Sequence, residues 1–141
     1  MNTAVDTNII VALWDSDQAL SALAQSALDG ALAQGKLLVA APVFGELLAF
    51  PGRSEAFLDS FFRDTGIQIE WNIDETVWRA AGRAFQTYAA RRRKSRVWGP
   101  HCILADFLIG AHASEGDCRL LTLDDRLYRA AFPHLRILRA V

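Results

Sequence analysis

The sequence predicts an α/β protein, with a mostly parallel five-stranded sheet and helices on both of its faces. Three observations carry this. Short apolar runs alternate with segments of helical periodicity along the whole chain. Most runs pass into the next helix through a cap or helix-start residue, with no hairpin turn between them. The 141 residues, 52% apolar and 22% charged, suit one packed core, so one domain over 1–141 is expected.

Asn2 to Val5 reads as the first strand, and it stops at Asp6. Thr7 to about Trp14 follows as a short helix, until Asp15, Ser16 and Asp17 interrupt it. Leu20, Leu23, Ala24, Ala27, Leu28 and Ala31 then recur at helical spacing to about Gln34, with Gly35 as the expected stop. Lys36 to Ala40 is a buried-strand candidate. Pro42 suits the first turn of the next helix, which carries Val43, Phe44, Glu46, Leu47 and Leu48 and ends near Pro51 and Gly52. Arg53 to Asp64 forms another helix, apolar through Phe57, Leu58, Phe61 and Phe62.

Ile67 to Trp71 is the third strand. Asn72 to Asp74 cap a long helix lined on one face by Val77, Ala81, Ala84, Phe85 and Tyr88. That helix runs into Arg91, Arg92, Arg93, Lys94, Ser95 and Arg96, and Val97 to Pro100 breaks it. A largely apolar helix spans about Cys102 to Ser114. Cys118 to Thr122 is the fourth strand, ending at Leu123, Asp124 and Asp125. A short helix holds Leu127, Tyr128 and Phe132, Pro133 breaks it, and Leu135 to Leu138 is the last strand.

Composition narrows the function. No apolar run approaches the ~20 residues of a membrane helix. Residues 1–12 lack a basic leader segment, and Asp6 interrupts their apolar run, so no signal peptide is visible. Cys102 and Cys118 do not form a C-x-x-C pair, and no His/Cys cluster has zinc spacing. Two thiols suit a reducing compartment, so a cytoplasmic protein is expected. Charge is split along the chain: up to Trp78 there are 3 basic and 11 acidic residues, and from Arg79 onward 12 basic and 5 acidic. The split allows an acidic pocket beside a basic face, or folding re-mixes it over the surface.

Four carboxylates stand in apolar neighbourhoods: Asp6 at the end of the first strand, Glu46 early in the third helix, Asp106 early in the sixth, and Asp124 after the fourth strand. Asp125 is beside Asp124. Each has a simple alternative reading as a helix cap or a dipole-favoured acid. In a parallel sheet, however, strand ends and the starts of the following helices share one edge, so all four can meet in one cleft. Converging carboxylates repel, and a divalent cation removes the repulsion. Oxygen ligands without His or Cys suit Mg²⁺ or Mn²⁺. Such a site activates water and neutralises phosphate charge, as phosphodiester hydrolysis requires. Arg91, Arg92, Arg93, Lys94 and Arg96 can grip phosphates, and Trp98 can stack on a base; the alternative is a solvated helix end with Trp98 anchoring a loop. His101, His112 and His134 are scattered and receive no role.

In this setting Val5-Asp6-Thr7-Asn8 resembles the opening motif of PIN-domain ribonucleases. Phe44-Gly45-Glu46-Leu47 resembles the motif around that family's second acid, Asp106 to Ala113 its third, and Leu121-Thr122-Leu123-Asp124 its fourth. Length, order and spacing are similar to the VapC toxins of bacterial VapBC toxin–antitoxin pairs. The resemblance implies a PIN-like domain acting as a Mg²⁺- or Mn²⁺-dependent endoribonuclease that uses metal-activated water. Asp6, Glu46, Asp106 and Asp124 would be the catalytic acids and metal ligands. Thr7, Asn8, Thr122 and Asp125 would be auxiliary groups, with Asp125 an alternative fourth acid. The implied partners are an RNA substrate, a VapB-like antitoxin and a second copy in a homodimer.

Two other readings stay open. A non-catalytic PIN-like module would bind RNA or a partner without metal-dependent turnover. A haloacid-dehalogenase-like phosphatase would use Asp6 as nucleophile, but it needs an Asp where Asn8 stands. A receiver-type signalling domain fits less well, because no Lys follows the last strand.

Overall fold

A computed structural model describes residues 1–94 and 104–140. In chain order its elements are β1 (Thr3–Val5), α1 (Thr7–Leu13), α2 (Gln18–Leu32), β2 (Leu37–Ala40), α3 (Ala41–Leu48) and α4 (Glu55–Thr65). They continue with β3 (Gln68–Glu70), α5 (Glu75–Lys94), α6 (Leu104–Glu115), β4 (Arg119–Thr122), α7 (Arg126–Ala131) and β5 (Ile137–Arg139). The five strands pair in parallel in the order β3-β2-β1-β4-β5, which is the α/β fold predicted. Among the described residues, no helix is long and apolar enough to cross a membrane.

Polar residues set the helix starts. Asp17 caps α2 by accepting from Ala19 N and Leu20 N, and Ser54 caps α4 by accepting from Phe57 N. Asp74 accepts from Val77 N at the start of α5. Pro42 lies in the first turn of α3, where a missing N–H costs nothing. Gly66 ends α4 with φ of 73°, in the left-handed region that favours glycine.

Every residue of β1 and β2 is buried. Successive strand side chains point to opposite faces, so both faces of the central sheet are covered. The core is built from Ile9, Ile10, Val39, Leu47, Phe107, Ile109, Leu120 and Leu121. From β1 the chain moves outward to β2 and β3, then returns to add β4 and β5 on the other side. The reversal leaves a crevice beyond the carboxyl ends of β1 and β4, where ligands bind in open parallel sheets.

Two boundaries differ from expectation. Helix α2 ends at Leu32, so Gly35 is not its stop. A Cβ at Gly35 would collide with the Met1 carbonyl, and the Met1 ammonium donates to Gln34 O at 2.9 Å. Gly35 therefore admits the N-terminal backbone. Strand β5 begins later than Leu135 because its register pairs Leu120 with Ile137 and Thr122 with Arg139. The predicted break at 97–100 and the helix start at Cys102 lie outside the described residues.

Gly110 faces Phe132, and a Cβ there would fall inside contact distance of the Phe132 ring. Gly110→Ala gains at most about 1 kcal/mol of helix propensity, against about 1–3 kcal/mol of overpacking. Urea unfolding should show a net loss of stability, and a variant as stable as the parent would show that the ring moves freely aside.

Candidate active site

The crevice is built around Asp6. Its backbone N–H donates to Leu121 O at 2.9 Å, which extends the β1–β4 pairing one residue past the strand. The side chain is 5% exposed. Oδ1 accepts from Thr7 N at 2.8 Å, capping α1, and Oδ2 accepts from the Thr122 hydroxyl at 2.8 Å. The Tyr128 hydroxyl, from α7, also hydrogen-bonds this carboxylate. Asp6 is thus a helix cap and a member of the acidic group at once.

The Thr122 hydroxyl is fully used. A hydroxyl has one proton to donate and two acceptor positions. It donates to Asp6, and it accepts from Asn8 Nδ2 and from Asp124 N, each at 3.2 Å. Asn8 Oδ1 in turn accepts from Leu123 N at 3.1 Å. Asn8 and Thr122 therefore pin the β4–α7 connection against the start of α1. The Thr7 hydroxyl donates to Glu46 Oε1 at 2.7 Å and holds the α3 acid beside α1.

Asp6, Glu46 and Asp106 act on one another electrostatically. Burial pushes Asp6 above the usual carboxylate range, and Glu46 adds to the rise. Burial first, then the charges of Asp6 and Glu46, push Asp106 up to about 6. Burial and the same three carboxylates also raise Tyr128, which keeps its proton as a donor. Tyr128 was not anticipated from sequence. Only its i+4 spacing from Asp124 hinted that α7 returns it to this edge.

Asp124 is placed differently. Its side chain is about half exposed, and Arg126 grips it through Nε at 3.1 Å and Nη2 at 2.9 Å. That pairing holds it down at about 2. Electrostatic interaction links Asp6, Glu46 and Asp106, while Asp124 is turned to Arg126 and reaches the site through its backbone N–H on Thr122. The cause is chain geometry: β4 ends at Thr122, and the turn into α7 directs the next acid toward solvent. Asp125 is bonded to Arg129, which lowers it. Arg91, Arg92, Arg93 and Lys94 form the last turn of α5. Arg96 and Trp98 lie outside the described residues. His112 is buried against Glu70, with Nε2 3.1 Å from Oε1.

Among the described residues, no three His, Cys, Asp or Glu side chains stand in an arrangement that would hold a metal ion outright. The donor chemistry nevertheless fits a hard cation. Asp6, Glu46 and Asp106 act on one another there, with Asp6 and Asp106 raised by burial and neighbouring carboxylates, and no imidazole or thiolate is among them. Mg²⁺ keeps several of its waters and takes only one or two carboxylates directly, so a closed protein cage is not required.

With this geometry in hand, the comparisons with known proteins are direct. The PIN domain family model matches residues 3–133, and the chain belongs to that family. Its fold is similar to a chain of VapBC2 from Rickettsia felis, crystallised with a DNA fragment from its promoter. There the TM-score is 0.69 at 17% identity, covering 99% of this chain and 98% of the other. It is also similar to VapBC-1 from nontypeable Haemophilus influenzae, with TM-score 0.67, 18% identity, and coverage of 99% and 98%. FitAcB from Neisseria gonorrhoeae gives TM-score 0.65, 18% identity, and coverage of 98% and 97%. No curated protein matches the chain in sequence.

Thr122→Val keeps the shape and removes the hydroxyl. It leaves Asp6 Oδ2 and Asn8 Nδ2 each short of a partner, so it should cost about 1–3 kcal/mol in urea unfolding, with Thr122→Ser close to the parent. A second expectation concerns pH. Asp6 and Asp106 both have folded-state values above the unfolded ones; the contribution of Asp106 to stability is complete below about pH 4 and lost as pH rises through about 6. In chelator, Asp106→Asn should therefore lose less melting temperature than the parent between about pH 5 and 7. Parallel curves would remove Asp106 from the strained group.

Proposed function

We propose that this chain is the toxin of a type II toxin–antitoxin pair, a VapC-like endoribonuclease that hydrolyses RNA phosphodiester bonds. The observation that carries it is the group formed by Asp6, Glu46 and Asp106 at the carboxyl edge of β1, in which burial and neighbouring carboxylates raise Asp6 and Asp106. PIN family membership and the fold likeness to VapBC and FitAB assemblies support the same reading. On this reading residues 1–141 form one PIN-like ribonuclease domain in the cytoplasm. It dimerises and is silenced by a VapB-like antitoxin.

Asp6, Glu46 and Asp106 would hold Mg²⁺ or Mn²⁺, with Asp124 as a fourth acid once it releases Arg126. A divalent cation there would lower the pKa of a water molecule and offset charge on the phosphodiester. The residues of the chain perform the remaining work. Thr122, Thr7 N–H and Tyr128 orient the Asp6 carboxylate. Thr7 holds Glu46 in place, and Asn8 fixes the loop that carries Asp124. The basic end of α5, with Arg96 and Trp98 beyond it, would face the RNA backbone.

The test is cleavage of total RNA by the parent with Mg²⁺ or Mn²⁺ and with chelator. Asp6→Asn should lose at least about a hundredfold in rate and keep the parent's circular dichroism. Asp106→Asn should cost more than Asp124→Asn, since only Asp106 is within the buried group. Undiminished cleavage by Asp6→Asn would refute the assignment. Absence of turnover even with Mn²⁺ would favour a non-catalytic PIN-like module.

A further inference from the structure

The helices α5 and α7 enclose a cavity of about 360 Å³ outside the carboxylate group. Its lining includes Arg83, Thr87, Tyr88, Arg91, Leu127 and Phe132, and no Asp or Glu. Arg83, Thr87 and Arg91 follow one another at i, i+4 and i+8, which places them in one stripe along α5. Three other arginines of the same two helices are neutralised: Arg79 by Glu75, Arg126 by Asp124 and Arg129 by Asp125. Among the described residues, Arg83 and Arg91, which face the cavity, have no carboxylate partner. Attraction to the negative end of the helix dipole fades within the last turn, so it does not account for Arg83.

We infer that this cavity receives one unpaired nucleotide of an RNA strand, with its flanking phosphates on Arg83 and Arg91. The two arginines are separated by ~12 Å along the helix axis, and their long side chains can lean toward each other onto the phosphates that flank one nucleotide. Leu127, Phe132 and the alanines of α5 and α7 supply an apolar wall for a base. The Thr87 hydroxyl, between the arginines, donates to Arg83 O at 3.1 Å and keeps its acceptor positions for a ribose hydroxyl. The cavity also adjoins the carboxylate group through two walls. Tyr128, next to Leu127, bonds Asp6, and Tyr88 packs on Phe107 at 5.4 Å between ring centroids, next to Asp106. A strand seated here passes α7 and continues toward the crevice. The inference rests on the nuclease reading and adds to it a strand-holding site whose lining includes none of the acids.

The test separates holding from cutting. Binding of a labelled single-stranded oligouridylate of about ten nucleotides is followed by fluorescence anisotropy in chelator, where no metal-dependent cleavage occurs. Arg83→Gln/Arg91→Gln should weaken binding about tenfold. Its dependence of log K on log salt should become shallower by about 0.7 for each lost phosphate contact. Arg79→Gln/Arg129→Gln changes the net charge equally on the same helices and should bind as the parent does. Equal affinity of the first pair and the parent would overturn the inference, as would an equal loss in the control pair. Competition by uridine monophosphate or by polyglutamate as strong as that of the oligonucleotide would overturn it too. Failure of Asp6→Asn to lose cleavage refutes the nuclease reading and leaves this binding result to stand or fall separately.

Discussion

The carboxylate of Asp6 is the constraint on which the rest of the crevice depends. It is buried at the point where β1 and β4 diverge, and an ionised group there is costly unless its oxygens are occupied. The surrounding residues are explained by that need. Thr7 N–H occupies one oxygen and starts α1, while the Thr122 hydroxyl occupies the other and ties β4 to the same point. Tyr128 closes the site from α7. One buried charge thus recruits donors from the adjoining helix start and from the β4–α7 region, distant in sequence.

The acids divide by how their charge is met. Asp124 and Asp125 are answered by Arg126 and Arg129 within their own helical turn, and both are held low. Among the described residues, no cationic side chain acts on Asp6 or Asp106; they meet burial and other carboxylates, and both are raised. A short-range ion pair makes an acid structurally quiet. An acid left beside other acids stores unfavourable free energy that a bound cation can release. The arginines show the same division, since Arg79, Arg126 and Arg129 are paired with carboxylates, while Arg83 and Arg91 face a cavity with no acid among its described lining residues.

Much of this was legible in the sequence because it is written in local pattern. Apolar runs closed by cap residues mark β1, β2 and β4, and Pro42, Ser54 and Asp74 mark helix starts by chemistry confined to one turn. Asp6, Glu46 and Asp106 were found by the same means, as acids embedded in apolar surroundings at strand–helix junctions. Gly35 was misread because its reason is not local: the backbone of Met1 crosses it. Tyr128 gave little signal beyond its spacing from Asp124, because a tyrosine on a short helix looks the same whether it faces solvent, core or a carboxylate.

By itself, then, the amino-acid order determined the alternation of strands and helices, their parallel arrangement and three acids at one edge, since burial periodicity and capping act within a few residues. Only the tertiary structure decided which partners those acids meet. It gave Asp6 to Thr122 and Tyr128, and it turned Asp124 outward to Arg126. Those choices depend on strand order and on the direction in which a chain leaves a strand end. Both arise from the packing of the whole sheet and leave no mark in the residues nearby.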